Sequence, residues 1–365
     1  MKALVLAGGS GTRLRPFSHS TPKQLIPIAN RPVLEYVLAN LRGIGVSEAG
    51  VVIGEHGDQI AAALGDGSRF GLRLTYIPQD LPRGLAHGVA IARPFLGDGD
   101  FVLHLGDVML PGGIAGVAAD FRAARPAAQI AVHRVHDPRG YGVVELARDG
   151  TVLRLTEKPG SPCGDQVITG VYFFTAAVHE AVAAVRPSAR GELEITDAIQ
   201  RLLSAGTPVR ATRHQGFVRD TGRVDDVLEC NRWVLDRLRT AVSGEVDDRS
   251  VLAGPVVVEA GARVLDSRIT GPAIIGAGTC VRGCHIGPHT SLGRGCVLRD
   301  SRLEYSIVLD GATVSGVGGI HGSVIGRSAH VGTVAARRRR LFIGDHCRVE
   351  VDRPAEPAVR AARPG

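Results

Sequence analysis

Leu6-Ala7-Gly8-Gly9-Ser10-Gly11-Thr12-Arg13-Leu14-Arg15-Pro16, followed by Pro22-Lys23-Gln24-Leu25, decides the reading of this chain. The stretch begins where a short apolar run, Lys2 to Leu6, ends. It sets three glycines within four positions, then an Arg, and a Lys ten residues after that Arg. Glycines let a backbone approach phosphate oxygens with no Cβ in the way. Successive free N–H groups in such a loop form an anion-binding concavity. Arg13 and Lys23 then bring full positive charge to a polyphosphate.

Three plainer or rival readings of the loop compete. One is a glycine-rich turn between strand and helix. A second, the dinucleotide fingerprint, requires a third glycine where this chain has Leu14. A third, the P-loop, requires Gly-Lys-Ser/Thr, a tripeptide the chain lacks. Basic usage sharpens the choice. Of 43 Lys and Arg, only Lys2, Lys23 and Lys158 are lysines, and the other 40 are arginines. A compact ammonium and a planar guanidinium do not exchange freely in a tight phosphate site.

The length of 365 residues predicts two or three domains, and 44% hydrophobic residues supply ordinary cores. Cysteines at 163, 230, 280, 284, 296 and 347 form no Cys-x-x-Cys pair. They read as buried thiols rather than zinc ligands, in a reducing, cytoplasmic setting. No apolar run approaches the ~18 residues of a membrane span, and Ala3 to Ala7 is too short for a signal peptide. Neither membrane nor nucleic-acid binding is therefore expected. The net charge of +7 is accompanied by only five Tyr, nine Phe and one Trp, without a nucleic-acid motif. Arg337-Arg338-Arg339-Arg340 reads as a solvated loop.

Residues 1–242 alternate apolar strands with helical patterns, the signature of an α/β domain with a mostly parallel sheet. Strands are predicted at Lys2–Leu6, Gly50–Ile53, Arg73–Ile77, Phe101–Leu105 and Gln129–Arg134. Helices are predicted at Val33–Leu41, Leu85–Leu96, Thr196–Leu203 and Gly222–Leu238. Residues 243–250 are polar and read as a linker. Over 251–351, apolar residues recur six apart, as in Val258/Val264, Ile275/Val281, Ile286/Leu292/Leu298, Ile325/Val331 and Ile343/Val349. Gly follows many of them, which predicts a parallel β-helix of hexapeptide repeats. Residues 352–365 are rich in Pro, Ala and Arg and read as a disordered tail.

Gly-Gly-x-Gly-Thr-Arg-Leu with a downstream Pro-Lys closely resembles the nucleotide-sugar pyrophosphorylases (sugar-1-phosphate nucleotidylyltransferases). Lys23-Gln24-Leu25 and Ile26-Pro27-Ile28-Ala29-Asn30-Arg31-Pro32 look most like the long form of the glucose-1-phosphate thymidylyltransferases. Gln79-Asp80-Leu81-Pro82-Arg83-Gly84, Leu103-His104-Leu105-Gly106-Asp107, Tyr141-Gly142 with Glu157-Lys158-Pro159, Ile168-Thr169-Gly170-Val171-Tyr172, Arg190 to Asp197 and Arg219-Asp220-Thr221-Gly222 extend the resemblance along the chain. It implies a Rossmann-like nucleotidyltransferase domain, a C-terminal left-handed β-helix, and a homo-oligomer assembled through that β-helix.

The resemblance also implies roles. Leu6, Ala7, Gly8, Gly9, Ser10, Gly11, Thr12, Arg13 and Gln24 would contact the nucleotide. Gln79 would read the base edge, with Gly84 letting the base pack on the backbone. Tyr141, Gly142, Glu157, Lys158, Ile168 and Tyr172 would hold the sugar 1-phosphate, with Glu157 on the hydroxyls and Lys158 on the phosphate. Asp107, at the end of an apolar strand, and Asp220 would ligate Mg²⁺, a cation that favours a few carboxylates plus phosphates and waters. The implied reaction joins glucose 1-phosphate to the α-phosphorus of dTTP and releases pyrophosphate. Arg13 would stabilise the leaving group, and Lys23 and Lys158 the attacking side. The product would be dTDP-glucose, for deoxysugars of secondary metabolites. Two positions depart from relatives: Val108, where many carry Asn, and Val218, where an aromatic is common.

Alternatives stay open. The nucleotide could be UTP, GTP or ATP, and the sugar mannose 1-phosphate. An acyltransferase could work from the β-helix through His285, His289, His321 or His330. A non-catalytic regulatory subunit is opposed by the joint presence of Arg13, Lys23, Asp107, Lys158 and Asp220. His19, His87, His104, His133 and His136 receive no role.

Overall fold

The computed structural model describes residues 1–9, 11–148, 150–161 and 164–332. Strands Lys2–Leu6 and Phe101–Leu105 have the predicted bounds, and Glu48–Ile53, Arg73–Pro78 and Ala128–Arg134 extend theirs by one or two residues. From one edge, the main sheet runs Val152–Glu157, Gly142–Leu146, Gln166–Phe174, Phe101–Leu105, Lys2–Leu6, Glu48–Ile53, Arg73–Pro78. The last four are parallel. Gln166–Phe174 is antiparallel to Phe101–Leu105, so the sheet is mixed. That strand is apolar and buried along nearly its whole length. Its register shifts between Ile168 and Tyr172, around Gly170 at φ +85°, where a Cβ would come 2.8 Å from Leu105. A bulge of this kind re-aims the flanking side chains.

Two apolar layers cover the sheet. Helix Val33–Gly43 buries Val33, Leu34, Val37, Leu38 and Leu41, the spacing that predicted it. The expected helix 85–96 is two pieces, Leu85–Ile91 and Arg93–Leu96. Pro94 lies in the first turn of the second piece and has no N–H to continue the ladder. The other two expected helices are Ile195–Ser204 and Val224–Leu235.

After the last helix the chain coils into three stacked parallel sheets of short strands, a left-handed β-helix. Adjacent coils stack like on like: Ile275 pairs with Leu292, Leu292 with Val308, and Val308 with Ile325. The six-residue step carries the chain from one face of the triangle to the next. Val264, Val281, Leu298 and Val314, with Ile269, Ile286 and Leu303, complete a closed aliphatic interior. The segment 243–250 differs from its expected linker role. Glu245–Val246 already pairs with Arg263–Leu265, as Ala241–Val242 does with Val256–Val258. The first coil thus starts at the end of the α/β domain, because local polarity says nothing about backbone pairing. Cys284 and Cys296 are buried, and their thiols donate to the carbonyls of Arg282 at 3.1 Å and Leu309 at 3.2 Å. Arg337–Arg340, Ile343, Cys347, Val349 and the tail lie outside the described residues, as does Cys163.

The two domains share a core of Leu14, Ile26, Ile28, Met109, Val227, Leu228, Ile307 and Leu309. Asn231, fully buried, pins the junction. Its Oδ1 accepts from Ala29 N and Ser291 Oγ, both at 2.8 Å, and its Nδ2 donates to His289 O at 3.2 Å. The residues packed there flank Arg13 and Lys23, so the β-helix buttresses the glycine-loop segment.

Candidate active site

The carboxyl ends of strands Lys2–Leu6 and Phe101–Leu105 lie side by side, where open α/β sheets bind ligands. Gly106 N donates to Leu6 O at 2.9 Å, which joins the glycine loop to the Gly106-Asp107 turn. Asp107 and Asp220, 113 positions apart, are brought together by a short antiparallel ladder in which Asp220 opposes Val108 and Arg219 opposes Met109. Thr221 locks the ladder, its N and Oγ1 both donating to Asp107 O, at 2.9 and 2.8 Å. Val108 is buried in the core beside this turn, so packing accounts for an apolar residue there.

Lys23 Nζ is hydrogen-bonded to the Asp107 carboxylate, and Arg13 Nη2 lies 3.4 Å from Asp220 Oδ2. Burial alone would lower the Lys23 ammonium. The Asp107 carboxylate, with Asp220, outweighs burial and holds it above its ordinary value. Lys23 runs beneath the loop: a Cβ at Gly9 would meet Lys23 Cε at 3.3 Å, and one at Gly11 would meet Lys23 Cβ at 3.2 Å. Gly11 also has φ +63°. At Gly11 the positive φ and the packing of Lys23 and Ser18 require glycine whatever lies above the loop, whereas at Gly9 a Cβ would press only on the flexible end of Lys23. This places Lys23 against the nucleotide loop rather than on the sugar side alone. Gln24, also buried, leaves its Oε1 without a partner. Ser10 lies outside the described residues.

The carboxyl pair suits a divalent cation. Burial, then the neighbouring charge of Asp107, pushes Asp220 up to about 6, and Asp220 Oδ1 is buried without a hydrogen bond. A buried carboxylate oxygen without a partner, on a residue that also feels the charge of a second carboxylate, is relieved by a metal ion. Among the described residues no group of three or more His, Cys, Asp or Glu converges.

A cleft of about 870 Å³ opens beside this pair, lined by Arg13, Asp107, Tyr141, Gly142, Glu157, Lys158, Ile168, Tyr172 and Asp220 among others. Every sugar-side residue expected from the sequence faces it. Glu157 opposes Gly142 in the hairpin, and Lys158 N donates to Tyr141 O at 3.0 Å. A Cβ at Gly142 would press on Ile168, Glu157 and Thr196 at 3.0–3.2 Å. Glu157 is held by Lys158 at 3.7 Å, Arg190 at 3.6 Å and Thr196 Oγ1 at 3.4 Å. Arg190 also pairs with Glu192 at 2.9 Å and with the buried Glu194 at 3.1 Å. The sequence motif containing Arg190 and Thr196 gives neither residue a place in the cleft. Their proximity to Glu157 depends on a helix packed across the hairpin, which no local pattern reports.

A second cleft, of about 380 Å³, lies on the other side of the glycine loop and is lined by Ala7, Gly8, Gly9, Gln79 and Leu81 among others. Gly84 has φ +102°, and a Cβ there would come within 2.5 Å of Leu193 O. This close crossing of two backbones is a reason for glycine independent of any base. Leu6 faces inward, against Gly88. Of the histidines considered in the β-helix, His289 is engaged with Asp236 at 2.7 Å and His321 with Glu304 at 3.3 Å. No helix among the described residues is long and apolar enough to cross a membrane.

The comparisons agree with this geometry. The nucleotidyl transferase family model matches residues 2–237. The chain is 52% identical over 353 residues to the glucose-1-phosphate thymidylyltransferase of Streptomyces griseus, covering 96% of this chain and 99% of that one. It is 49% identical over 354 residues to the Streptomyces antibioticus protein of the same name, covering 96% and 99%. A solved Bacillus anthracis structure, assigned as a glucose-1-phosphate thymidylyltransferase and complexed with sucrose, aligns with TM-score 0.60 at 29% identity. That alignment covers 63% of this chain and 94% of the other. The glycine loop, the paired aspartates and the full-length likeness lead to one conclusion: the chain belongs to the nucleotidyl transferase family and groups with its glucose-1-phosphate thymidylyltransferases.

Proposed function

We propose that the chain transfers dTMP from dTTP to glucose 1-phosphate, giving dTDP-glucose and pyrophosphate, with Mg²⁺ as the cofactor. The observation that carries this reading is the convergence of Asp107, Asp220, Lys23 and Arg13 between two clefts, one beside the glycine loop and one lined by Glu157 and Lys158. A phosphate oxygen of the sugar 1-phosphate attacks the α-phosphorus, and the bond to the β-phosphate oxygen breaks. The attacking phosphate is already an anion, so no serine, cysteine or histidine base is needed. Alignment and charge neutralisation supply the catalysis.

The glycine-loop N–H groups and Arg13 hold the triphosphate, and Arg13 offsets the charge growing on pyrophosphate. Lys23, oriented by Asp107, neutralises the phosphates above the loop. Lys158 holds the sugar phosphate, and Glu157, braced by Arg190 and Thr196, accepts from sugar hydroxyls. Asp107 and Asp220 would hold Mg²⁺, which when bound supplies further charge neutralisation at the α-phosphate. A cytoplasmic location and a homo-oligomer complete the proposal, along with supply of deoxysugar-forming reactions.

The test is pyrophosphate release with Mg²⁺ and glucose 1-phosphate, offering dTTP, UTP, GTP, ATP and CTP separately. A clear dTTP preference is expected. A greater rate with another nucleotide overturns the named substrate, and no release with any overturns the activity. Light scattering of the full chain tests assembly, and a monomer mass overturns the oligomer.

A further inference from the structure

Gln79 is fixed before any nucleotide arrives. Its Nε2 lies 2.9 Å from His87 Nδ1. An amide nitrogen only donates, so Nδ1 accepts and the ring carries its proton on its own Nε2. The amide oxygen is thereby turned the other way, toward the glycine loop: a Cβ at Gly8 would come within 2.8 Å of Gln79 Oε1. Both partners are anchored by backbone. Gln79 N donates to Ile53 O at 2.8 Å. The helix start bearing His87 is stitched to Leu193, which donates to Arg83 O at 2.8 Å and accepts from Ala86 N at 3.0 Å. His87 itself does not line the cleft beside the loop, whereas Gln79 does.

We propose that His87 is a positioning residue for nucleotide selectivity: it locks the Gln79 amide in the orientation that accepts pyrimidines of the thymine type and rejects cytosine. This rests on the nucleotide reading above. Thymine offers an N3–H donor beside the O4 acceptor, whereas cytosine offers an N3 acceptor beside the N4 amino donor. A glutamine amide matches either edge, depending only on which way it is turned. With Nε2 held by His87, Oε1 is presented to a donor and the second Nε2 proton to an acceptor. Cytosine then meets acceptor against acceptor and donor against donor. Without the ring, the amide rotates at little cost and both edges fit.

The experiment is kcat/KM for dTTP, UTP and dCTP, with glucose 1-phosphate saturating, in wild type, His87→Leu and His87→Asn, with melting curves for each. His87→Leu should lower the dTTP-to-dCTP ratio at least ~10-fold, the scale of one well-made base-edge contact. The dTTP-to-UTP ratio should stay constant, because uracil has the same edge. The KM for glucose 1-phosphate should also stay constant. His87→Asn keeps an acceptor at the δ position and should restore the dTTP-to-dCTP ratio. In a Gln79→Ala background, His87→Leu should change nothing further. An unchanged dTTP-to-dCTP ratio in His87→Leu, or equal shifts against UTP and dCTP, overturns the inference. If His87→Leu fails to fold, His87→Ala at this half-buried position is held to the same two outcomes. A wild type that does not prefer dTTP to dCTP overturns the underlying nucleotide reading instead.

Discussion

The α/β domain and the β-helix are both built on parallel strands, yet they use them differently. In the β-helix, each strand pairs with the one a single coil away, and like residues stack on like: Ile269 on Ile286 on Leu303. Its order is local and repetitive, and among the described residues its interior is aliphatic apart from buried Cys, Ser and Thr. In the α/β domain the strands serve as a platform. The candidate site sits at their carboxyl ends, drawn from segments far apart in the chain, as when Lys23, Asp107 and Asp220 meet. Repetition makes a rigid support, and convergence makes a site. The two depend on each other at Asn231, where the support is fastened behind the glycine loop.

If this division holds, perturbations of the two regions should separate. The largest effect is expected at the convergence. Asp107→Asn keeps the backbone bonds to Thr221 but removes one charge from the pair, and should cut turnover at least ~100-fold. The melting temperature should fall only modestly, because Lys23 loses its carboxylate partner while Asp220 is relieved of a like charge. Steady-state pyrophosphate release alongside calorimetry checks this, and near-normal turnover would remove the metal assignment. Next comes the fastening point. Asn231→Ala strands the Ala29 N–H and the Ser291 hydroxyl in a buried junction and should destabilise by about 3 kcal/mol. Denaturant unfolding measures it, and a loss confined to the β-helix transition would show that the domains are not coupled there.

Acid should distinguish the regions less strongly. His104 is fully buried, its Nε2 has no partner, and burial pushes it down from 6.5 to about 4. Its neutral form is the native one, so its contribution is complete above about pH 6.5 and is lost as pH falls toward 4. Between pH 6.5 and 5 His104 by itself withdraws roughly 2 kcal/mol, against the opposite contribution of Asp220, which is raised to about 6 and gains stability as it protonates. The difference between wild type and His104→Gln across that window isolates the histidine. Among the described residues the β-helix interior holds no buried histidine or carboxylate and should be indifferent. Smallest is Ile286→Val, one methyl out of the aliphatic column, costing about 1 kcal/mol with kcat unchanged. A change in kcat there would mean that the support reaches the chemistry.

The ranges of strands and helices followed from periodicity wherever burial is one-sided and regular, as in helix Val33–Gly43. The exceptions have local causes. Pro94 divides a helix. Gln166–Phe174 runs antiparallel to its neighbour, and the direction of a strand is set by its connections rather than by the side-chain pattern, which here is apolar and buried along nearly its whole length. Residues 243–250 join the first coil through backbone bonds that do not depend on side-chain polarity.

Sequence by itself determined the glycine loop and the hexapeptide repeat, and marked as candidates the two aspartates and, through the family resemblance, the sugar-side residues. Each is a local pattern, or a residue type that few chemistries use. Tertiary structure alone decided that Asp220 meets Asp107 through a two-rung ladder, that Lys23 lies beneath the loop, that Arg190 and Thr196 brace Glu157, and that His87 holds Gln79. Those are contacts between segments distant along the chain. Their existence depends on how layers pack, and packing is a property of the whole fold that no window of sequence contains.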